Sequence, residues 1–184
     1  SSFPNWHPSF SPDGKQIAFA SIRDGGGIYV MGRFSDAVRR LTKQGSAPTW
    51  TPDGREILYS TETTALAYNY RRAPSEVLAV DVASGQIRRI AEADAVQPRI
   101  SPDGKWVAYW GLPVTPDKTN FTSLRRMVYV KALAGGPVVP ITRAESLDWD
   151  PVWGPDSKTL YFSSDRSGSM NLWRVPIDER TGRV

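Results

Sequence analysis

The chain has 184 residues, 40% apolar and 23% charged, an ordinary balance for a globular fold with room for a sizeable core. No apolar run approaches the roughly 18 residues a membrane-spanning helix needs, and a formal charge of +4 is far below that of a dedicated nucleic-acid binder. With no cysteine, disulfides and thiolate metal sites are excluded, and the single histidine, His7, leaves no histidine-cluster metal centre to expect.

In chain order the sequence spells one unit four times. Pro8-Ser-Phe-Ser-Pro-Asp-Gly-Lys15 is followed by Pro48-Thr-Trp-Thr-Pro-Asp-Gly-Arg55, Pro98-Arg-Ile-Ser-Pro-Asp-Gly-Lys105 and Pro151-Val-Trp-Gly-Pro-Asp-Ser-Lys158. Repeats of this period mark architectures in which each unit buries its apolar face only against a neighbour. Each Pro-Asp-Gly is a tight turn: proline presets φ, aspartate bonds nearby backbone, and glycine accepts positive φ. Ser157 replaces that glycine in the fourth copy, so strain or a different turn shape is expected there.

A short strand A precedes each turn, around Phe10, Trp50, Ile100 and Trp153, and these side chains are expected to pack between units. Strand B follows: Ile17–Ala20, Ile57–Ser60, Val107–Trp110 and Leu160–Ser163. Strand C is Ile28–Met31, Leu78–Asp81, Val128–Lys131 and Leu172–Val175. Both are near-continuous in apolar residues, as buried strands are. Strand D is polar (Val38–Leu41, Ile87–Ile90, Val138–Ile141), and its paired arginines or proline protect an outer edge. No segment sustains helical periodicity. The expected fold is therefore all-β, a β-propeller of four-stranded antiparallel blades near 6–42, 46–91, 96–142 and 147–184, within one domain spanning 1–184.

The interval from repeat proline to strand B is constant, whereas the B–C connections of the second and third units are about ten residues longer than the others. Antiparallel strands alternate direction, so B–C and D–A loops share one face of the disc and all the variable length lies there. Recognition on such scaffolds sits on loops of this kind. The long loops supply candidate partner-binding residues: Tyr68, Tyr70, Arg71 and Arg72 in one, Lys118, Phe121, Arg125 and Arg126 in the other. Exposed aromatics beside arginines suit a peptide, an acidic partner or a sugar. His7, Ala47, Gln97 and Asp150 occupy equivalent positions where strand A begins on this same face. The polar three are a candidate ring at the channel mouth.

No nucleophile elbow, P-loop or dinucleotide fingerprint is present. Gly25-Gly-Gly27 reads as a tight B–C turn, and Asn120-Phe-Thr122 matches a glycosylation sequon. No catalytic residue, metal or cofactor is expected within the chain, and nucleic-acid binding is not favoured, because Arg39-Arg40 and Arg88-Arg89 alternate across edge strands.

The Pro-x-Trp/Phe-Ser-Pro-Asp-Gly-Lys unit with its Ile-Ala-Phe-type strand resembles the TolB-like, WD-repeat-like β-propeller repeat family. Ser163-Ser-Asp-Arg-Ser-Gly168 followed by Asn171-Leu-Trp-Arg-Val175 resembles that family's B–C turn and third strand. The resemblance implies a periplasmic or extracytoplasmic scaffold, as in the envelope protein TolB, that binds a protein or peptide without catalysis. It also admits the accessory propeller of a prolyl oligopeptidase-like serine peptidase with its catalytic domain elsewhere, or a carbohydrate-processing propeller. Thr181-Gly-Arg-Val184 aligns with Ser84-Gly-Gln-Ile87, so the fourth outer strand is only beginning where the sequence stops. Such propellers have six or seven blades. The expectation is a fragment of a longer ring, or a half-ring completed by another chain through self-association of open blade edges.

Overall fold

The computed structural model describes residues 3–34, 37–62, 74–91, 94–113 and 125–184. Among these, regular structure is almost entirely antiparallel strand, with a single 3-10 turn at Arg23–Gly25. The first sheet holds β1 (Asn5–Phe10), β2 (Gln16–Ser21), β3 (Gly27–Gly32) and β4 (Val38–Arg40). The second holds β5 (Ser46–Trp50), β6 (Glu56–Ser60), β7 (Val77–Asp81) and β8 (Ile87–Ala91). In the third are β9 (Val96–Ile100), β10 (Trp106–Gly111), β11 (Met127–Ala132) and β12 (Val138–Pro140). The fourth has three strands, β13 (Asp148–Trp153), β14 (Thr159–Ser164) and β15 (Asn171–Pro176). Each sheet runs in sequence order, and the inner strands pack successively as β1, β5, β9 and β13. This is the propeller arrangement the repeat predicts.

Alternation along the strands sends one residue set to each face, and the sets interlock between sheets. Ala18, Ala20, Ile28 and Val30 of the first sheet meet Trp50, Ile57, Tyr59 and Val80 of the second. Leu58, Val77 and Ala79 then meet Val107, Tyr109 and Tyr129 of the third. Trp110, Val128 and Val130 meet Trp153, Leu160, Phe162 and Ile177 of the fourth. The strand-A tryptophans do more than fill space. Trp50 Nε1 donates to the Ser9 carbonyl and Trp153 Nε1 to the Arg99 carbonyl, both at 3.0 Å, tying each inner strand to its predecessor. Phe10 departs from the expected packing. It is 60% exposed, because it lies on the face of the first sheet that has no neighbouring sheet against it.

The turns close as their residues dictate. The Asp13, Asp53 and Asp103 carboxylates each accept from the backbone two residues on and from the hydroxyl of Ser11, Thr51 or Ser101. In the fourth turn Gly154 offers no hydroxyl, and Thr159 Oγ1 donates to Asp156 instead at 2.8 Å. Ser157 keeps the left-handed conformation of its glycine counterparts, with φ 58 against 69 for Gly14. The strain expected at this residue is present, and the shape is conserved. Its hydroxyl accepts from the Asp103 N–H at 3.0 Å, so the turns of the third and fourth sheets are joined there.

After β15, Asp178 accepts from the Arg180 and Thr181 amides, and Gly182 N donates to the Asp178 carbonyl at 2.8 Å. Asp81 and Gly85 make the same turn between β7 and β8. The register expected from Thr181-Gly-Arg-Val184 is therefore the one observed.

Candidate functional site

The B–C connections and the starts of the inner strands share one face, since Asn5 pairs with Ser21, Ser46 with Ser60 and Asp148 with Ser164. At this face each inner strand is broken in the same way. Pairing slips by one residue between Trp6 and Ser9, between Ser46 and Thr49, and between Trp149 and Val152; in the third sheet it slips opposite Ala108 and Trp110. The bulged residue is His7, Ala47, Gln97 or Asp150, with φ of 53, 51, 51 and 50. Left-handed backbone at a non-glycine residue costs roughly 1–2 kcal/mol. Its recurrence in every sheet, at alanine as well as at polar residues, makes it part of the scaffold. A β-bulge re-aims a side chain, and here it acts on the pre-proline residue of every sheet.

Sequence spacing alone could not show this conformation. The recurring X-Pro dipeptide was the available signal, but it favours extended backbone at X. Nor did the sequence single out Arg99, the residue just past the third bulge, where the other sheets carry Ser9, Thr49 and Val152. A cavity of about 250 Å³ opens here, lined by His7, Ser9, Ala47, Thr49 and Arg99 among others.

The three polar residues expected at a channel mouth take different roles in the structure. His7 Nδ1 shares a 3.1 Å hydrogen bond with Ser46 Oγ, bridging the first two sheets. Burial depresses the His7 pKa, the Arg99 guanidinium depresses it further, and Asp150 partly opposes both. Residues from the first, third and fourth sheets thus share one electrostatic neighbourhood. Gln97 is committed otherwise, since its side-chain oxygen accepts from the Trp110 indole. Asp150 is exposed at the rim.

Of the loop candidates, Tyr68, Tyr70, Arg71, Arg72, Lys118 and Phe121 lie outside the described residues. Arg125 is exposed and donates to the Ala144 carbonyl at 2.7 Å. Arg126 was expected on the loop surface but is only 3% exposed. Its guanidinium lies 4.8 Å over the Trp110 ring, and its carbonyl accepts from Asp148 N. It packs the third sheet against the fourth.

A larger cavity of about 670 Å³, lined by Phe3, Trp6, Ile17, Phe19 and Met31 among others, lies on the outer face of the first sheet. Ile57, Tyr59 and Val80 hold the corresponding positions in the second sheet and are covered there by the first. The geometry is that of a packing face.

The sequence signature of the Tricorn protease N-terminal beta propeller domain matches residues 2–183. The chain belongs to this family. The chain is 28% identical over 141 residues to dipeptidyl-peptidase 5 of Porphyromonas gingivalis, covering 74% of this chain and 20% of that protein. It is 26% identical over 155 residues to the Tol-Pal system protein TolB of Bordetella pertussis, covering 63% of this chain and 35% of that protein. The crystal structure of TolB from Acinetobacter baumannii superposes with a TM-score of 0.71 at 23% identity, over 99% of this chain and 43% of that one. The chain is a TolB-like propeller that spans less than half the length of each of these proteins and has relatives among both TolB proteins and peptidases.

Proposed function

We propose that this propeller is a non-enzymatic recognition scaffold that engages a protein or peptide through the face bearing the B–C loops and the channel mouth. The observation that carries the reading is convergence. The bulged ends of the inner strands bring His7, Arg99 and Asp150 together on the same face to which both long connections belong. The likeness to TolB supports placing the chain in the bacterial envelope or periplasm.

Peptides selected by display on the wild-type chain are to be measured by fluorescence anisotropy against a variant with alanine at Tyr68, Tyr70, Arg71 and Arg72. The expected result is at least tenfold weaker binding at an unchanged melting temperature. Equal affinity for both proteins would overturn the assignment of this face.

A second reading, the accessory propeller of a serine peptidase, is favoured by the likeness to dipeptidyl-peptidase 5. An α/β hydrolase domain encoded on the same polypeptide would select it. In that case the loop-bearing face would be expected to meet the catalytic domain, and the alanine variant would alter peptide turnover.

A further inference from the structure

We propose that Arg99 is the seat for a carboxylate of the peptide bound at the channel mouth. This inference rests on the peptide-binding reading of the face and names the chemistry recognised there. Arg99 is partly buried, yet the only hydrogen bond of its guanidinium among the described residues runs to the neighbouring Pro98 carbonyl at 3.2 Å, and it joins no ion pair there. A guanidinium has five N–H donors in a planar fork that matches a carboxylate in two parallel bonds.

The contrast with other arginines of this fold is informative. Arg88 is held by Glu56 through two bonds of 2.7 Å, and Arg166 meets the fully buried Asp148 at 3.1 Å. Arg99 gives up solvent without such compensation, and burial accordingly depresses its pKa, with Asp150 partly opposing the effect. A desolvated cation with no carboxylate in direct contact, Asp150 acting only from a distance, is costly in folding terms and gains from an incoming anion.

The surroundings fit a carboxylate. The Ser9 and Thr49 hydroxyls line the same cavity and make no hydrogen bond to the protein among the described residues, leaving two further donors. His7 takes part through a single ring nitrogen in its bond with Ser46, which leaves the other available. The backbone from which Arg99 projects is anchored by the Trp153 indole at 3.0 Å. Asp150 supplies one negative charge nearby, and this disfavours a dianion such as phosphate relative to a singly charged carboxylate. The cavity of about 250 Å³ has room for a carboxylate on a short side chain.

The test uses the whole chain and four probes, followed through the Arg99 Nε–H and His7 ring resonances. Acetyl-Gly-Glu-Gly-amide presents a side-chain carboxylate, acetyl-Gly-Gly-Gly a terminal one, acetyl-Gly-Gln-Gly-amide neither, and inorganic phosphate a dianion. One or both carboxylate probes are expected to bind at least tenfold more tightly than the glutamine peptide and phosphate, their ranking identifying the source. R99Q is expected to lose that preference while melting no lower than wild type. Equal binding of the glutamate and glutamine peptides together with no preference for the terminal carboxylate would overturn the proposal, as would an unaltered preference in R99Q. A display-selected peptide weakened by the loop alanine variant but unaffected by R99Q would refute the Arg99 seat alone. A peptide indifferent to both changes would refute the face itself.

Discussion

Trp106 and Trp153 are both 8% exposed and belong to the same core cluster between the third and fourth sheets, but their indole N–H groups meet different fates. Trp153 Nε1 donates to the Arg99 carbonyl at 3.0 Å, while Trp106 Nε1 is buried with no acceptor. Replacing either by phenylalanine removes roughly 50 Å² of apolar ring, about 1 kcal/mol at 25 cal/mol/Å². For W153F, losing the indole bond to the Arg99 carbonyl, which still pairs with Ala108 in its own sheet, adds about 0.5–1.5 kcal/mol, giving a destabilisation of about 1.5–2.5 kcal/mol. For W106F the change removes an unsatisfied donor, whose relief of similar size offsets the lost area, so the net effect lies within about 1–2 kcal/mol of zero. The two variants should therefore differ by about 2 kcal/mol in urea unfolding. At about 2–4 °C per kcal/mol for a chain of this length, the melting temperatures should separate by several degrees. Equal destabilisation, or W106F being the weaker protein, would refute the claim that the inter-sheet indole bonds carry this energy.

Three further outcomes are expected. In R166A the buried Asp148 loses its cation, at a cost of about 3–5 kcal/mol in thermal or urea unfolding; R23A, whose arginine is paired through neutral Asn5, should lose markedly less. G111A should largely prevent folding, read as loss of soluble protein and of the far-ultraviolet strand signal, because its Cβ would stand 1.7 Å from the Asp94 carbonyl oxygen. His7 is held below its ordinary pKa of 6.5, so on acidification the unfolded chain takes up its proton first and stability falls as pH drops through 6.5. Unfolding midpoints measured between about pH 7 and 5 should show that decline in the wild type and a flatter profile in H7Q, since this is the chain's single histidine.

The sequence carried the strands and turns openly because they follow from local chemistry. Proline, aspartate and glycine fix the A–B turns, and the apolar runs fix strands B and C. The turn after the third strand of the fourth sheet was also legible, since Asp178 and Gly182 repeat the spacing of Asp81 and Gly85. Equivalent spacing placed His7, Gln97 and Asp150 at matching positions, and they share one backbone conformation, but Gln97 is occupied by Trp110, a partner thirteen residues away that no local pattern announces. Arg99 was hidden because its counterparts in the other repeats are serine, threonine and valine, and its burial without a directly bonded carboxylate emerges only in three dimensions. Arg126 read as a surface cation, whereas its stacking on Trp110 and its backbone bond to the fourth sheet bury it.

The left-handed pre-proline residue has a consequence for how such a chain diversifies. The backbone at His7, Ala47, Gln97 and Asp150 is nearly superimposable in φ although the side chains are basic, apolar, amide and acidic. Shape at the rim is thus independent of spelling. One backbone conformation therefore accommodates four different side chains at the same position of successive sheets, so the polarity of this position varies while the bulge is kept.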